Sequence, residues 1–126
     1  VPYKDIKKQR MYQREWVKRK RERTKEIRRK YRQRLRKRVI DKLGGKCVIC
    51  ECDEYKVLEI NHINGGGRKE YKERFGNSQK RYHLAILNGK RRSDDLEIRC
   101  IVCNALHRAK DLNKAKGNWN IIWTSD

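Results

Sequence analysis

The chain has no long apolar run. Nowhere in its 126 residues is there a stretch suited to crossing a bilayer or to serving as a secretory leader. Apolar residues make up only 36% of it against 41% charged, so one domain's worth of sequence has little from which to build a core. Something besides hydrophobic burial must hold such a chain together. Proline and glycine are missing from the whole stretch between Lys4 and Leu43, so nothing there interrupts a helix. Methionine and glutamine are scarce beside Arg, Lys and Glu, a balance that suits a thermophile.

What is abundant is positive charge. The net charge of +20 exceeds what solubility needs, and self-repulsion at that density opposes compaction unless a polyanion relieves it. Nucleic acid is the expected partner. A membrane surface is not, because Arg and Lys alternate all the way round the basic stretch and leave no wide apolar face. Residues 1–43 carry 20 Lys and Arg against 5 Asp and Glu, a net of +15, whereas residues 44–126 carry 16 against 11, a net of +5. The first segment is therefore read as a basic nucleic-acid-binding arm, with Arg19, Arg23, Arg28, Lys30, Arg34 and Arg38 as phosphate contacts.

Helix formers dominate that arm, and Glu15 to Arg19 and Glu26 to Lys30 have the spacing of helical ion pairs. The pattern predicts one long helix or two nearly continuous ones, roughly 60 Å if unbroken. A disordered tail when free of nucleic acid is the alternative. Ile27, Tyr31, Leu35, Val39 and Leu43 recur at steps of four, which drift around a helix, so the last turns from Leu35 to Leu43 are expected to dock on the cysteine-containing segment. Gly44 and Gly45 then supply the C-terminal cap.

Five cysteines in a chain without a leader suggest a reducing, cytoplasmic setting and metal ligation before disulfides. Four of them form two C-x2-C knuckles, Cys47 with Cys50 and Cys100 with Cys103. Each knuckle brings two thiolates to one side of a tight turn, and four thiolates make a closed tetrahedral site for structural Zn²⁺ with no open position for catalysis. Cys52 stands too near Cys50 to complete the same chelate comfortably and reads as a bystander, or as a substitute for Cys50.

Between the knuckles, Val57 to Asn61 alternate as a short strand that runs into His62 and then Gly65, Gly66 and Gly67. Leu96 to Arg99 give a second strand into the second knuckle, and Asn104 to Lys110 read as a helix. Knuckle, strand ending in His, strand, knuckle, helix is an order that resembles the HNH endonuclease family. The resemblance is to its zinc-ribbon branch, which includes phage-type HNH proteins and phage Holliday-junction resolvases, and it covers Cys47 to Lys110. In that branch the second C-x2-C is followed directly by His or Asn, as Asn104 follows Cys103 here.

After the long basic N-terminal helix read from the arm, the resemblance implies a small zinc-stapled ββα-metal module, residues 44–112, with a helical insertion at 63–95, so that the fold as a whole is α+β. The resemblance also implies metal-dependent hydrolysis of DNA phosphodiester bonds in a cytoplasmic setting such as a nucleoid or a phage-infected cell. His62 would be the general base, since a neutral imidazole can take a proton from water near pH 7. Asn61 and Asn104 would hold a catalytic Mg²⁺ or Mn²⁺, with His107 as a third, softer ligand and the start of the last helix turned towards phosphate. Asn61 departs from the family's usual Asp or His, so no charged ligand is evident, and Asp94 or Asp95 is the nearest substitute. Asp95 also occupies the place of the family's middle Asn and could accept a backbone N–H bond from the loop that carries the base.

Outside the motif, Tyr71, Phe75 and Tyr82 in the insertion are expected to pack with Leu84, Ile86 and Leu87 on a short helix, Gln79 to Leu87, in which His83 packs or touches phosphate. In the tail, 113–126, Trp119, Ile121, Ile122 and Trp123 are expected to fold back. Nucleic acid is the partner in either case, DNA before RNA, and two functions remain open at this point: a metal-dependent endonuclease, or a non-catalytic zinc-ribbon protein associated with structured RNA such as the ribosome. A monomer and a homodimer are both compatible with the sequence.

Overall fold

The computed structural model describes residues 4–108 and 122–124. The stretch without a breaker forms a single α-helix of 37 residues, α1 (Ile6–Lys42). Two compact units divide the chain at Arg34 and Leu35, inside α1 and not at residue 43 as the charge boundary suggested. Packing explains the difference: Leu35, Val39 and Ile40 are buried, so the last turns of the helix belong to the second unit.

In the first unit Met11, Tyr12, Trp16, Val17 and Ile27 are exposed, as are Arg19, Arg23, Arg28, Lys30 and Arg34. Glu26 pairs with Arg29 at 2.5 Å and with Lys30 at 3.9 Å, and Lys20 lies over the Trp16 ring at 4.9 Å. Such exposed contacts contribute little each, so this part of the helix rests on propensity and on spaced charge.

The second unit starts with a well-formed helix end. Gly44 and Gly45 have φ of 119° and 75°, and their N–H groups donate to Asp41 (3.2 Å) and Ile40 (2.8 Å), the paired bonds of a Schellman cap. A single 3-10 turn at Tyr55–Val57 leads into β1 (Leu58–His62), which pairs antiparallel with β2 (Leu96–Cys100). Val57, expected in the strand, belongs to that turn. The register sets Leu58 opposite Cys100, Ile60 opposite Ile98 and His62 opposite Leu96. Between the strands come α2 (Gly67–Phe75) and α3 (Gln79–Leu87), and α4 (Ile101–Arg108) begins directly after β2.

Strand alternation sorts the side chains into two sets. Leu58, Ile60, Leu96, Ile98 and Cys100 face a core of two joined clusters. One gathers Ile40 with Cys47, Cys52, Leu58, Ile98, Cys100 and Cys103. The other gathers Val39 with Phe75, Tyr82, Ile86 and Leu96. Neighbouring residues of α1 thus serve different clusters, and Arg36 and Lys42 fasten the same helix end by donating to the carbonyls of Tyr55 and Ile86, each at 2.6 Å. Tyr71, Phe75 and Tyr82 pack with Ile86 and Leu87 as expected, whereas Leu84 is part-buried outside that cluster, and His83 is buried. In the tail, Ile122 and Trp123 are exposed, while Trp119 and Ile121 lie outside the described residues. Among the described residues no helix is long and apolar enough to cross a membrane.

Because Ile40 is wholly buried beside the cysteines, Ile40→Ala is expected to cost about 2–5 kcal/mol. The loss should appear as a lower urea midpoint with unchanged slope, while Ile27→Ala on the exposed arm should stay within about 0.5 kcal/mol.

Candidate functional site

The two knuckles meet. The sulfurs of Cys47, Cys50, Cys100 and Cys103 all lie within 4.8 Å of one another, and those of Cys50 and Cys100 are 3.7 Å apart. Bonds of about 2.3 Å to a central tetrahedral ion put sulfurs roughly 3.8 Å apart, so the set fits a metal ion such as zinc. Backbone geometry prepares it. Glu51 takes a left-handed φ of 65° to close the first knuckle and donates to the Cys47 carbonyl at 3.0 Å, and the Cys103 N–H points at the Cys100 sulfur at 3.3 Å. Burial alone would raise the Cys47 thiol, but the backbone N–H groups around it, led by that of Cys50, bring it down to about 6. Cys103 is pushed up by burial and by the neighbouring thiols. Cys52 is buried in the adjoining core and stands apart from the four, as a bystander should.

At the far end of the same strands stands His62. Its Nε2 lies 3.1 Å from Glu70 Oε2 and 3.2 Å from the hydroxyl of Tyr82, whose ring runs nearly parallel to the imidazole. Glu70 in turn meets Arg91 through both oxygens, at 2.7 and 3.0 Å, and Arg91 reaches both oxygens of Asp95 at 2.6 and 2.8 Å. The hydrogen bonds of Arg91 hold the carboxyls of Glu70 and Asp95 below their ordinary 4.5 and 3.8. Burial pushes the Tyr82 phenol up to about 12, so it stays protonated across the neutral range. Gly67 is required here for space: a Cβ on it would stand 2.5 Å from His62 Nδ1 and 2.8 Å from Cε1, over the ring.

The opposite face of the hairpin carries Glu59, Asn61, Glu97 and Arg99. Asn61 Nδ2 donates to Glu97 Oε1 at 2.9 Å, and Arg99 Nε meets the same oxygen at 2.6 Å. From α4, Asn104 Nδ2 donates to Glu59 Oε2 at 2.6 Å. Asn104 is buried, and its Oδ1 has no hydrogen-bond partner among the described residues. A buried amide oxygen left unpaired costs about 1–3 kcal/mol, and this is the one side-chain atom of that kind among the described residues.

Asn61 and Asn104 thus lie on one face of the hairpin, each tied to a carboxylate, while alternation turns His62 to the other face. The carboxylates are Glu59 and Glu97, neither of which stood out in the sequence. Asp94 is exposed beside Arg92, and the Asp95 carboxylate grips Arg91 and does not cap the loop. It is the Asp95 backbone carbonyl that accepts from Ile63, at 2.9 Å. The last helix begins at Ile101, three residues before Asn104, and its first turn lies at the thiol cluster. The side chain of His107 lies outside the described residues. Comparison with protein-family models, curated proteins and solved structures gives no match to this chain.

Removing metal with a strong chelator is expected to unfold the second unit cooperatively, and adding zinc back should restore it at one ion per chain, read by circular dichroism and metal analysis. Arg91→Gln should cost about 2–3 kcal/mol near pH 7, between the value for a buried pair and that for a surface one. Both carboxylates titrate lower in the folded chain, so the stabilisation stands in full above pH 4.5 and is lost as the pH falls through their depressed values. The stability gap between wild type and Arg91→Gln should accordingly be flat from neutrality to about pH 5 and shrink below it.

Proposed function

We propose that the chain is a metal-dependent endonuclease of the HNH type that hydrolyses DNA phosphodiester bonds, with His62 as general base and a structural Zn²⁺ on Cys47, Cys50, Cys100 and Cys103. One arrangement carries the reading. A hydrogen-bonded imidazole ends β1, and the two strands of its hairpin adjoin two knuckles whose four sulfurs lie within 4.8 Å of one another, with a helix running on from the second.

Each group has a task in that reaction. The exposed Arg19, Arg23, Arg28, Lys30, Arg34 and Arg38 of α1 neutralise backbone phosphates, a contact that carries little base information. His62 takes the proton of the attacking water, while Glu70 and Tyr82 keep its ring in place. Asn61, Asn104, Glu59 and Glu97 would hold Mg²⁺ or Mn²⁺, the two carboxylates supplying the negative charge that Asn61 and Asn104 lack. Such an ion supplies positive charge against the leaving oxygen and the charge that builds on the phosphate. One site of this kind makes one nick.

A second reading, a non-catalytic zinc-ribbon protein bound to nucleic acid, draws on the same hydrogen bonds. Both amides already donate to carboxylates, so the face is largely satisfied within itself.

Supercoiled plasmid separates the two. With Mg²⁺ or Mn²⁺ the protein is expected to produce open circles, and His62→Ala should slow this roughly 10²- to 10⁴-fold without altering zinc content or DNA affinity. Equal nicking by that variant would remove His62 from the reaction. Salt-dependent binding with no nicking under either metal would leave the binder reading.

A further inference from the structure

We propose that Glu70 is a positioning residue for His62: clamped by Arg91, it takes the Nε2 proton of the neutral imidazole as a hydrogen bond and leaves Nδ1, the nitrogen beside Gly67, as the one able to accept a proton. This rests on the reading of His62 as the base, and it gives the insertion a task that the metal knuckles and the strands do not share.

An ionised carboxylate only accepts hydrogen bonds. A bare Nε2 lone pair 3.1 Å from Glu70 Oε2 would meet repulsion, whereas an Nε2 proton satisfies that oxygen and the Tyr82 hydroxyl oxygen at 3.2 Å together. In the neutral ring that leaves Nδ1 unprotonated and able to accept. Glu70 is itself immobile, because Arg91 holds both of its oxygens and is anchored in turn by the Asp95 carboxylate and the Arg92 carbonyl. The ring cannot readily turn to exchange its nitrogens. Tyr82 runs parallel to it at 15° and Gly67 closes over its face, so near that even one methyl group would not fit.

Glu70, Tyr82 and Arg91 all come from the segment between the strands, and Gly67 opens α2 within it. The side chain that prepares the base is thus supplied by the insertion, eight residues beyond His62 in sequence. Glu70→Gln keeps the shape and the acceptor for Arg91, but its amide can also donate to Nε2 and so favour the tautomer protonated on Nδ1. Glu70→Asp keeps the charge on a shorter arm.

Nitrogen-15 spectra of the zinc-loaded full chain at about pH 8, above the ordinary imidazole range, report which ring nitrogen carries the proton. His62 signals are assigned by their loss in His62→Gln. The expected wild-type result is a proton on Nε2, with Glu70→Gln mixing or reversing the tautomers and Glu70→Asp restoring them. In the plasmid assay Glu70→Gln should lower kcat roughly 10- to 100-fold at unchanged KM and zinc content, with partial recovery in Glu70→Asp. A wild-type proton on Nδ1, or a tautomer indifferent to Glu70→Gln, overturns the proposal. Should Glu70→Gln fail to fold, Arg91→Lys loosens the clamp on Glu70 while keeping the charge, and the same shift in tautomer is expected. Absence of nicking by wild type would overturn the reading of His62 as base, and the wild-type spectrum would still decide whether Glu70 holds its Nε2 proton.

Discussion

The second unit depends on four sulfur atoms held within 4.8 Å of one another. As thiolates they would repel strongly at that distance, and as thiols they would hold nothing together. A shared cation would turn the repulsion into attraction, and it would sit beside the small apolar core that Ile40, Leu58 and Ile98 build. The cluster ties the turn after α1 to the junction of β2 and α4, the thiols of Cys50 and Cys100 being 50 residues apart in sequence. Ile40, Leu58 and Ile98 pack against the cysteines in one buried cluster, so an ion there would join the segments that form this core. With 36% apolar residues, burial alone could not offset the entropy of that closure.

A hairpin of two five-residue strands is marginal by itself, and here the loop that connects it is long. It is held at both ends. At the Leu58–Cys100 end lies the cysteine cluster, which a bound ion would close, and at the His62–Leu96 end the work falls to the Ile63 to Asp95 bond and to the chain of Glu70, Arg91 and Asp95. This second fastening is ionic, with Arg91 and Glu70 mostly withdrawn from water. Such a network contributes geometry more than net stability, since desolvation offsets much of the Coulomb attraction. Its position fits that view, because what it fixes most directly is one imidazole. The stabilising centre and the candidate base are therefore at opposite ends of the same ladder, and the two can be perturbed separately.

Much of the framework was legible in the sequence. The knuckle spacing foretold the sulfur cluster, the unbroken run from Lys4 to Leu43 foretold α1, and the short helix expected from Gln79 to Leu87 is α3. Strand alternation put Leu58 and Ile60 inward, and by the same period of two it put Glu59 beside Asn61, so that carboxylate could have been found. Glu97 needed the register, which pairs it with Asn61 across the hairpin. Glu70 and Arg91 left no signal at all. In a chain that is 41% charged, a carboxylate and a guanidinium about twenty residues apart look like any other surface charges until α2 and α3 bring them together. The start of α4 is hidden for a related reason. Cys100 ends the strand and α4 begins at once, because the first-turn N–H of Cys103 finds its acceptor in a sulfur and no conventional cap is needed.

The neutral residue before His62 departs from the pattern of the family it resembles, and its surroundings supply a reason. Asn61 Nδ2 is 2.9 Å from Glu97 Oε1, and that oxygen also receives Arg99. An aspartate at position 61 would set two carboxylates against each other, with one guanidinium between them, and would need a cation merely to be tolerated. With amides at 61 and 104, each carboxylate has a donor whether or not an ion is bound, and each amide keeps its carbonyl oxygen for other use. The negative charge on this face lies on Glu59 and Glu97, each held by an amide donor. Among the described residues only the Asn104 oxygen is left buried and unpaired, which makes it the atom on this face that gains most from a bound ion.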